Sequence, residues 1–312
     1  MPVPPVVLFV YDRPEHTRRT LEALAANDLA SEADLTVFCD GPKETATPDD
    51  VARVERVREI ARSRKWCRRT IVHEHKTNQG LARSIRDGID HLLAEHDRVV
   101  VLEDDILTSP GFLSFMRDAL ETYEGADRVK HVSAYIPQTS YQSLLPETFM
   151  SGYMSCWGWG TWKRAWTQAR WDPALLLREI DKSTRGRAGF DLGGTADFSS
   201  HLQANVNGDI QTWAVMWAAS IYLADGLCLG PGRSLVRNIG TDGSGIHFTS
   251  ATDIYDVEPA RSIKVKRSAL RRSRLGEYYL RSFFRYGRNS SLSKRSRLLI
   301  RRTGGRVISR LR

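Results

Sequence analysis

The first half of the chain alternates between short apolar runs and longer segments with amphipathic spacing. Four runs rich in apolar residues are typical of buried strands and lie at 6–11, 35–39, 70–73 and 99–102. Elsewhere, apolar residues recur three or four positions apart, which predicts helices over 14–26, 48–64, 80–94 and 110–123. This alternation predicts an α/β domain, with a mostly parallel sheet, right-handed crossovers and helices on both faces.

After a further apolar run at 131–136 the alternation fades and tryptophans crowd together. Five of the chain's eight tryptophans fall within fifteen residues, at Trp157, Trp159, Trp162, Trp166 and Trp171. The glycines of the segment SCWGWGTW indicate close backbone approach and exposed indole faces, on which the apolar side of a sugar could stack. Ordinary core packing is the other interpretation.

Three consecutive acids, Glu103, Asp104 and Asp105, follow the apolar run at 99–102. Ser109 and Pro110 indicate a helix start soon afterwards, so the acids are expected at the carboxyl end of a strand, where open α/β sheets bind ligands. Adjacent carboxylates repel each other unless a cation or hydrogen-bond donors compensate. The pattern fits Mg²⁺ or Mn²⁺ bound together with the phosphates of a nucleotide. A solvated acidic loop beside a helix N-terminus is the alternative.

Three other loops are expected at the same edge of the sheet. They are 12–14 (Asp-Arg-Pro), 40–42 (Asp-Gly-Pro) and 78–80 (Asn-Gln-Gly), the last preceding a helix that carries Arg83. Asp40 could accept hydrogen bonds from a ribose or a uracil, and Arg83 could offset diphosphate charge. Each loop alone is also common turn chemistry. The absence of GxGxxG and GxxxxGK[ST] motifs weighs against NAD enzymes and P-loop NTPases.

The net charge of +9 conceals a division along the chain. Residues 260–312 hold 18 Lys or Arg and one acid, a net +17, so residues 1–259 carry 9 − 17 = −8. We therefore expect a domain over 1–259 (halves 1–136 and 137–259) and a basic helical extension over 260–312. Aromatic and aliphatic residues among its cations favour an anionic membrane surface as its partner. A helix packed on the body or on a second subunit is the alternative.

Other compositional features narrow the class of protein. No apolar run approaches the ~20 residues that span a bilayer, and a cytoplasmic location is expected, with peripheral attachment at the membrane through the extension. The four cysteines are far apart and predict buried free thiols. The acidic body and the lack of a recognised nucleic-acid motif count against specific nucleic-acid binding.

The segments VVLFVYDRPEH, VFCDGPK, NQGLARS and VVVLEDD, in this order, resemble the nucleotide-sugar half of a GT-A glycosyltransferase, close to the bacterial glycosyltransferase family 2 proteins. The later segments CWGWGTWKRAW, TWAVMWAASIY and SLVRNIGTDGSGIH resemble the acceptor half, and the resemblance covers roughly residues 5–250. It implies a GT-A fold, a mostly parallel sheet flanked by helices. It also implies a metal-dependent sugar transfer from a nucleoside-diphosphate sugar, UDP- or GDP-linked, to a glycan or lipid-linked acceptor.

The resemblance also implies roles for individual residues. Asp105 and His247 would hold Mn²⁺ or Mg²⁺, and Asp104 would contact the ribose or the metal shell. Asp40 and Arg83 would belong to the donor site, and Trp157 and Trp159 to the acceptor site.

The carboxylate that removes the acceptor proton is assigned to Asp209, with Asp197 and Asp242 as alternatives. A turn acid is the other interpretation of Asp209. The reaction would be inverting and would serve surface polysaccharide or glycolipid synthesis. A sugar-phosphate nucleotidyltransferase, or a nucleic-acid-binding protein acting through the basic tail, is the alternative function.

Overall fold

The computed structural model describes residues 2–139, 141–242 and 254–286. Its strands, β1 to β10, are Val6–Val10, Asp34–Cys39, Arg69–Glu74, Arg98–Glu103, Ile106–Thr108, Val129–Ser133, Thr148–Ser151, Trp159–Trp162, Leu227–Pro231 and Val236–Asn238. Its helices, α1 to α10, are Pro14–Ala25, Pro48–Arg62, Leu81–Glu95, Phe112–Thr122, Lys163–Trp166, Pro173–Lys182, Gly186–Phe190, Phe198–Asn207, Ala214–Leu223 and Arg274–Tyr286.

Eight of the described strands form one sheet in the order β3-β2-β1-β4-β8-β6-β9-β7. The first four are parallel, β8 is antiparallel to both β4 and β6, and β6 is parallel to β9. Strand β7 is antiparallel to β9, so six strands run in one direction and two in the other. Strands β5 and β10 pair separately as an antiparallel ribbon. The predicted α/β class with a mostly parallel sheet is confirmed.

Helices cover both faces of this sheet. Successive residues of β1 alternate between two core clusters: Val6, Leu8 and Val10 pack in one, and Val7 and Phe9 in the other. The first cluster includes apolar residues of α1, α2 and α4, and the second includes those of α3 and α9. Because β1 is buried on both faces, it reads in the sequence as a continuous apolar run.

The aromatic segment enters the sheet as a strand that the sequence did not predict. Strand β8 lies between β4 and β6, and Arg98 of β4 faces Trp162 of β8 in the register. It is antiparallel to both neighbours and contains Gly160. A Cβ added to Gly160 would lie 3.0 Å from a side-chain carbon of Leu120 in α4. The absence of a side chain there lets α4 pack closely over the sheet.

The expected basic extension is joined to the body over its described part. Ala260 N–H donates to Ser234 O at 2.7 Å, and Ser273 N–H donates to Met150 O at 2.8 Å. Helix α10 buries its apolar face against Ile136 and Phe149, with four residues contributing: Tyr279, Leu280, Phe283 and Phe284.

Tyr279, Phe283 and Phe284 are therefore buried in the protein core, which is the packing on the body foreseen as the alternative to a membrane interface. The boundary at residue 259 and the membrane partner stay predictions. Residues 287–312 lie outside the described part of the chain. None of the described helices has the length and apolar character needed to cross a bilayer.

Candidate donor site at the carboxyl edge of the sheet

The site lies where the strand order of the sheet reverses. From β1 the chain proceeds to β2 and β3 on one side, whereas β4 pairs with β1 on the other side. The loops that leave β1 and β4 therefore diverge and open a crevice, the position at which open α/β sheets bind ligands. Arg13 follows β1, and the three acids Glu103, Asp104 and Asp105 follow β4.

A single guanidinium joins the two aspartates of this crevice. Arg13 Nη2 donates to Asp104 Oδ1 in a short contact and to Asp105 Oδ2 at 2.9 Å. Arg13 Nε also donates to Asp104 Oδ2, at 3.4 Å, so both oxygens of Asp104 are engaged by Arg13. The side chain of Asp104 is 7% exposed and that of Asp105 15%. The charge compensation that three adjacent carboxylates require thus comes from a side chain three residues beyond β1.

The electrostatics of the cluster reflect burial and mutual repulsion. Desolvation, together with the charges of Asp105 and Asp104, raises the pKa of Glu103 to about 8. Desolvation also raises the pKa of Asp104, to about 6, although the Arg13 charge opposes this shift. Desolvation lowers the pKa of Arg13, but the two aspartates outweigh it and raise that pKa overall, so Arg13 stays protonated. The cluster is therefore a strongly polarised site in a low-dielectric setting.

The β5–β10 ribbon brings a later segment of the chain onto the acids. Ile239 N–H donates to Asp105 O at 2.9 Å. A Cβ on Gly240 would lie 2.2 Å from Asp105 Oδ2 and 2.9 Å from Arg13 Nη1. Only glycine allows the backbone to approach the cluster this closely. Two residues further on, Asp242 Oδ2 lies 3.3 Å from His16 Nε2 on the first turn of α1.

Asp40 fastens two loops together. Its Oδ1 accepts from the N–H groups of Gly41 and Gln79, both at 2.8 Å, and its Oδ2 accepts from Asn78 Nδ2 and Gly80 N, both at 3.0 Å. These four bonds fill the acceptor capacity of a carboxylate. Asp40 is 7% exposed and joins the loop after β2 to the start of α3. Its contact with a nucleoside stays a prediction.

The other predicted donor and base residues lie on the surface. The side chain of Arg83 is 68% exposed and pairs with Asp87 one turn further along α3, at 3.2 Å. Asp209 is exposed and lies in the turn that ends α8, where its N–H donates to Ala204 O at 3.0 Å and its Oδ2 accepts from Asn207 Nδ2 at 3.2 Å. This is the turn role foreseen as its alternative. Asp242, the alternative base, belongs to the segment that contacts the acid cluster.

The tryptophans expected at the acceptor site behave differently from each other. Trp159 has no exposed surface and stacks on His131 and Trp213, with ring centroids 5.0 and 5.2 Å apart. The expectation that it offers an indole face to a sugar is therefore wrong, because the whole residue is buried. Trp157 is partly exposed and packs edge-on against Tyr135, at 4.5 Å between centroids, so its acceptor role stays a prediction.

The metal site that the sequence predicts is incomplete among the described residues. Among them, no group of three or more His, Cys, Asp or Glu side chains is placed to hold one. Asp104 and Asp105, the acids expected at the metal, instead direct carboxylate oxygens at the Arg13 guanidinium. His247, the other predicted ligand, lies outside the described residues. The sequence signal for Arg13 was its place directly after an apolar strand, at the same edge as three acids that need a positive charge.

A second concave surface lies at the opposite, amino-terminal edge of the sheet. It is a cleft of ≈ 510 Å³ formed where α2 ends and β3 begins, lined by Ala61, Arg62, Arg64, Lys65, Arg68, Arg69, Thr70 and Val72. Arg62 pairs with Glu55 and Glu74, and Arg68 pairs with Asp34. This basic cleft contains none of the residues that the sequence singled out.

Comparison with known proteins gives no matching family model and no matching curated sequence. Solved structures give matches of low similarity. The galactosyltransferase LgtC, in complex with donor and acceptor sugar analogs, is 11% identical, with 70% of each chain covered and a TM-score of 0.39. An active-site mutant of LgtC gives 11% identity, 70% of each chain and a TM-score of 0.38.

TarS of S. aureus is 16% identical, with 57% of this chain and 30% of that chain covered and a TM-score of 0.33. Matches with such low TM-scores do not assign an activity to this chain. The α/β class follows from the mostly parallel sheet and the helices on its two faces.

Proposed function

We propose that this protein is a glycosyltransferase that moves a sugar from a nucleoside-diphosphate donor to an acceptor hydroxyl. The observation that carries the proposal is the Arg13–Asp104–Asp105 cluster at the switch point of a mostly parallel sheet. This is where such sheets bind nucleotides. The groups present match both parts of a donor, because carboxylates accept hydrogen bonds from ribose hydroxyls and a guanidinium pairs with phosphate oxygens. The order of motifs shared with GT-A glycosyltransferases supports the same assignment.

Arg13 is suited to stabilise the leaving diphosphate. Its Nε and Nη2 are turned towards the aspartates, while Nη1 lies on the side of the guanidinium that approaches Gly240. Sugar transfer breaks the bond between the anomeric carbon and the diphosphate oxygen, and the electron pair leaves with the diphosphate. A fixed cation close to that oxygen stabilises the developing charge more than it stabilises the bound donor, and such stabilisation accelerates the reaction.

The acceptor oxygen forms the new bond to the anomeric carbon and loses its proton to a base. Asp242 is the better candidate by position, since it lies two residues from Gly240, which approaches both Asp105 and Arg13. Asp209 sits in the turn after α8, among contacts that a surface turn explains. We propose Asp242 as the base, with His16 as its hydrogen-bonding neighbour.

The sequence resemblance and the composition of the chain add further features to the proposed reaction. UDP- or GDP-sugars, an inverting reaction and a role in polysaccharide or glycolipid synthesis follow from the resemblance. Attachment to an anionic membrane surface would fall to residues 287–312, which hold nine Lys or Arg and no Asp or Glu. Pelleting with anionic vesicles, compared between the full chain and a chain ending at residue 286, tests that attachment. Equal pelleting of the two chains would exclude it.

Product analysis tests the proposed reaction. The protein is incubated with a panel of UDP-, GDP-, ADP- and dTDP-sugars together with glycan and lipid-linked acceptors, and the released nucleotide is identified. Release of a nucleoside diphosphate that requires an acceptor supports the proposal. Release of pyrophosphate from a nucleoside triphosphate and a sugar phosphate would instead identify a nucleotidyltransferase, and release of neither would contradict both.

Two variants connect the activity to the site. Asp104→Asn should lower the transfer rate by about tenfold or more, which corresponds to ~1.4 kcal/mol of transition-state stabilisation. Asp118→Asn, on the surface of α4 with its side chain 43% exposed, should leave the rate unchanged. Equal rates in the two variants would exclude the acid cluster from the reaction.

A further inference from the structure

The arrangement of Arg13 raises the question of which cation belongs to the acid cluster. Asp104 offers both carboxylate oxygens to the guanidinium, and Asp105 offers Oδ2 to the same Nη2. The guanidinium thus contacts three of the four carboxylate oxygens of the pair, and Mg²⁺ and Mn²⁺ bind carboxylate oxygens directly and with defined geometry. A protonated guanidinium and a divalent ion in contact with the same two carboxylates would also repel each other strongly.

We infer that Arg13 is the resident cation of this site, and that it competes with divalent metal ions for the Asp104–Asp105 pair. The positive charge that a bound ion would supply to a diphosphate is then built into the chain, three residues after β1. Binding of a divalent ion to the pair requires Arg13 to withdraw from it.

The surroundings of Arg13 hold it against the aspartates. Its backbone precedes Pro14 at the first turn of α1, and its O accepts from Thr17 N–H at 2.9 Å, which fixes the start of the helix. Further along α1, Thr20 Oγ1 donates to Asp104 O at 2.7 Å, so the helix and the segment of the three acids are joined by a second contact. Gly240 closes over Asp105 and Arg13 Nη1. These contacts fix the backbone of Arg13 and the segment of the three acids beside each other, so the guanidinium is positioned against the two aspartates.

Direct measurement of Mn²⁺ binding tests the inference without any sugar substrate. Isothermal titration and Mn²⁺ electron paramagnetic resonance are applied to the full-length wild type, Arg13→Gln and Arg13→Lys. Arg18→Gln is the matched control, because Arg18 lies on the same helix and pairs only with Glu15 and Glu22 among the contacts of the described structure. Far-ultraviolet circular dichroism and thermal unfolding establish that each variant is folded.

The expected result is that the wild type, Arg13→Lys and Arg18→Gln bind Mn²⁺ equally weakly, whereas Arg13→Gln binds it at least tenfold more tightly. Adding Asp105→Asn to Arg13→Gln should abolish the gain. Tight stoichiometric Mn²⁺ binding by the wild type that is lost in Asp105→Asn would overturn the inference, as would a folded Arg13→Gln with no gain. Should Arg13→Gln fail to fold, the comparison of wild type with Asp105→Asn still decides between the two results.

The outcome is separable from that of the proposed function. Only the expectation that Arg13 meets a diphosphate rests on the proposed glycosyltransferase activity. If no sugar transfer is detected while Arg13→Gln gains Mn²⁺ affinity, the proposed reaction is wrong and the competition of Arg13 with metal ions is supported. If sugar transfer is observed and the wild type binds Mn²⁺ tightly through Asp105, the proposed reaction is supported and the competition of Arg13 with metal ions is wrong.

Discussion

Replacing Asp40 by asparagine tests whether this residue serves mainly to hold the edge of the site together. The carboxylate accepts four hydrogen bonds, two on each oxygen. Asparagine keeps one acceptor oxygen, so at most two of the four bonds survive, and its NH₂ group then faces donors. Hydrogen bonds to a charged group contribute about 1.5–3 kcal/mol each, which gives a loss of roughly 3–6 kcal/mol before relaxation. We expect Asp40→Asn to be destabilised by roughly 3 kcal/mol, because the loops can open partly to water.

Urea unfolding of Asp40→Asn, with Asp118→Asn as the exposed control, measures this loss. For a chain of 312 residues 3 kcal/mol corresponds to a fall in melting temperature of roughly 4–5 °C. The control should stay within about 0.5 kcal/mol of the wild type, as surface substitutions usually do. If Asp40→Asn were as stable as the control but lost affinity for nucleotide, Asp40 would be a ligand contact and the reasoning about the two loops would be refuted.

Three further predictions concern packing and protonation. Gly240→Ala should weaken donor binding in calorimetry by about tenfold and lower stability in thermal unfolding by roughly 1–3 kcal/mol, because the new Cβ would meet Asp105 and Arg13. Gly125→Ala, whose Cβ would lie in open space, should change neither quantity. Trp159→Ala should lower the free energy of unfolding, measured in urea, by roughly 3–5 kcal/mol, because Trp159 is fully buried. Trp157 is partly exposed, so an equal loss in Trp157→Ala would contradict this reasoning. Burial lowers the pKa of His131 to about 3. As the pH falls, the unfolded chain therefore takes up a proton on His131 before the folded chain does. The stability that neutral His131 contributes is present above about pH 6.5 and is lost as the pH falls towards 3. The stability difference between wild type and His131→Gln should shrink by about 2 kcal/mol from pH 7 to pH 5, and a difference independent of pH would show that His131 is not held neutral.

The parallel half of the fold could be predicted from the sequence because its strands are buried on both faces. Continuous apolar runs identify β1, β2 and β4, and the intervening spacing of three to four residues identifies α1 to α4. Helix α2 also carries a local start signal, since Thr47 and Asp50 form a reciprocal capping box ahead of the apolar positions. Where local signals and tertiary packing agree, the pattern of apolar residues alone is sufficient to predict the strands and helices.

The second half could not be predicted in this way because its order depends on contacts distant in sequence. Strand β8 is rich in Trp and Gly, and only pairing with β4 and β6 shows that it is a strand. The apolar face of α10 has the composition of an interfacial helix. It packs against Phe149 and Ile136, more than a hundred residues earlier in the chain. Periodicity identifies an apolar face but does not say what covers it.

The same limit applies to the candidate site. The carboxyl edge of β4 was recognisable because three acids there need a counter-charge. That Arg13 supplies this charge depends on the pairing of β1 with β4, which brings together residues about ninety positions apart. Asp209 and Asp242 are equivalent as turn acids in the sequence, and only the β5–β10 ribbon brings the segment of Asp242 to the cluster.

Hydrogen–deuterium exchange with bound nucleotide tests the location of the donor site most directly. The full-length protein is saturated in turn with UDP, GDP and ADP, and peptide-level exchange is compared with that of the free protein. We expect slower exchange in peptides covering 11–17, 103–106 and 239–242 for at least one nucleotide. Protection confined to 61–72, the basic cleft at the other edge of the sheet, would contradict it.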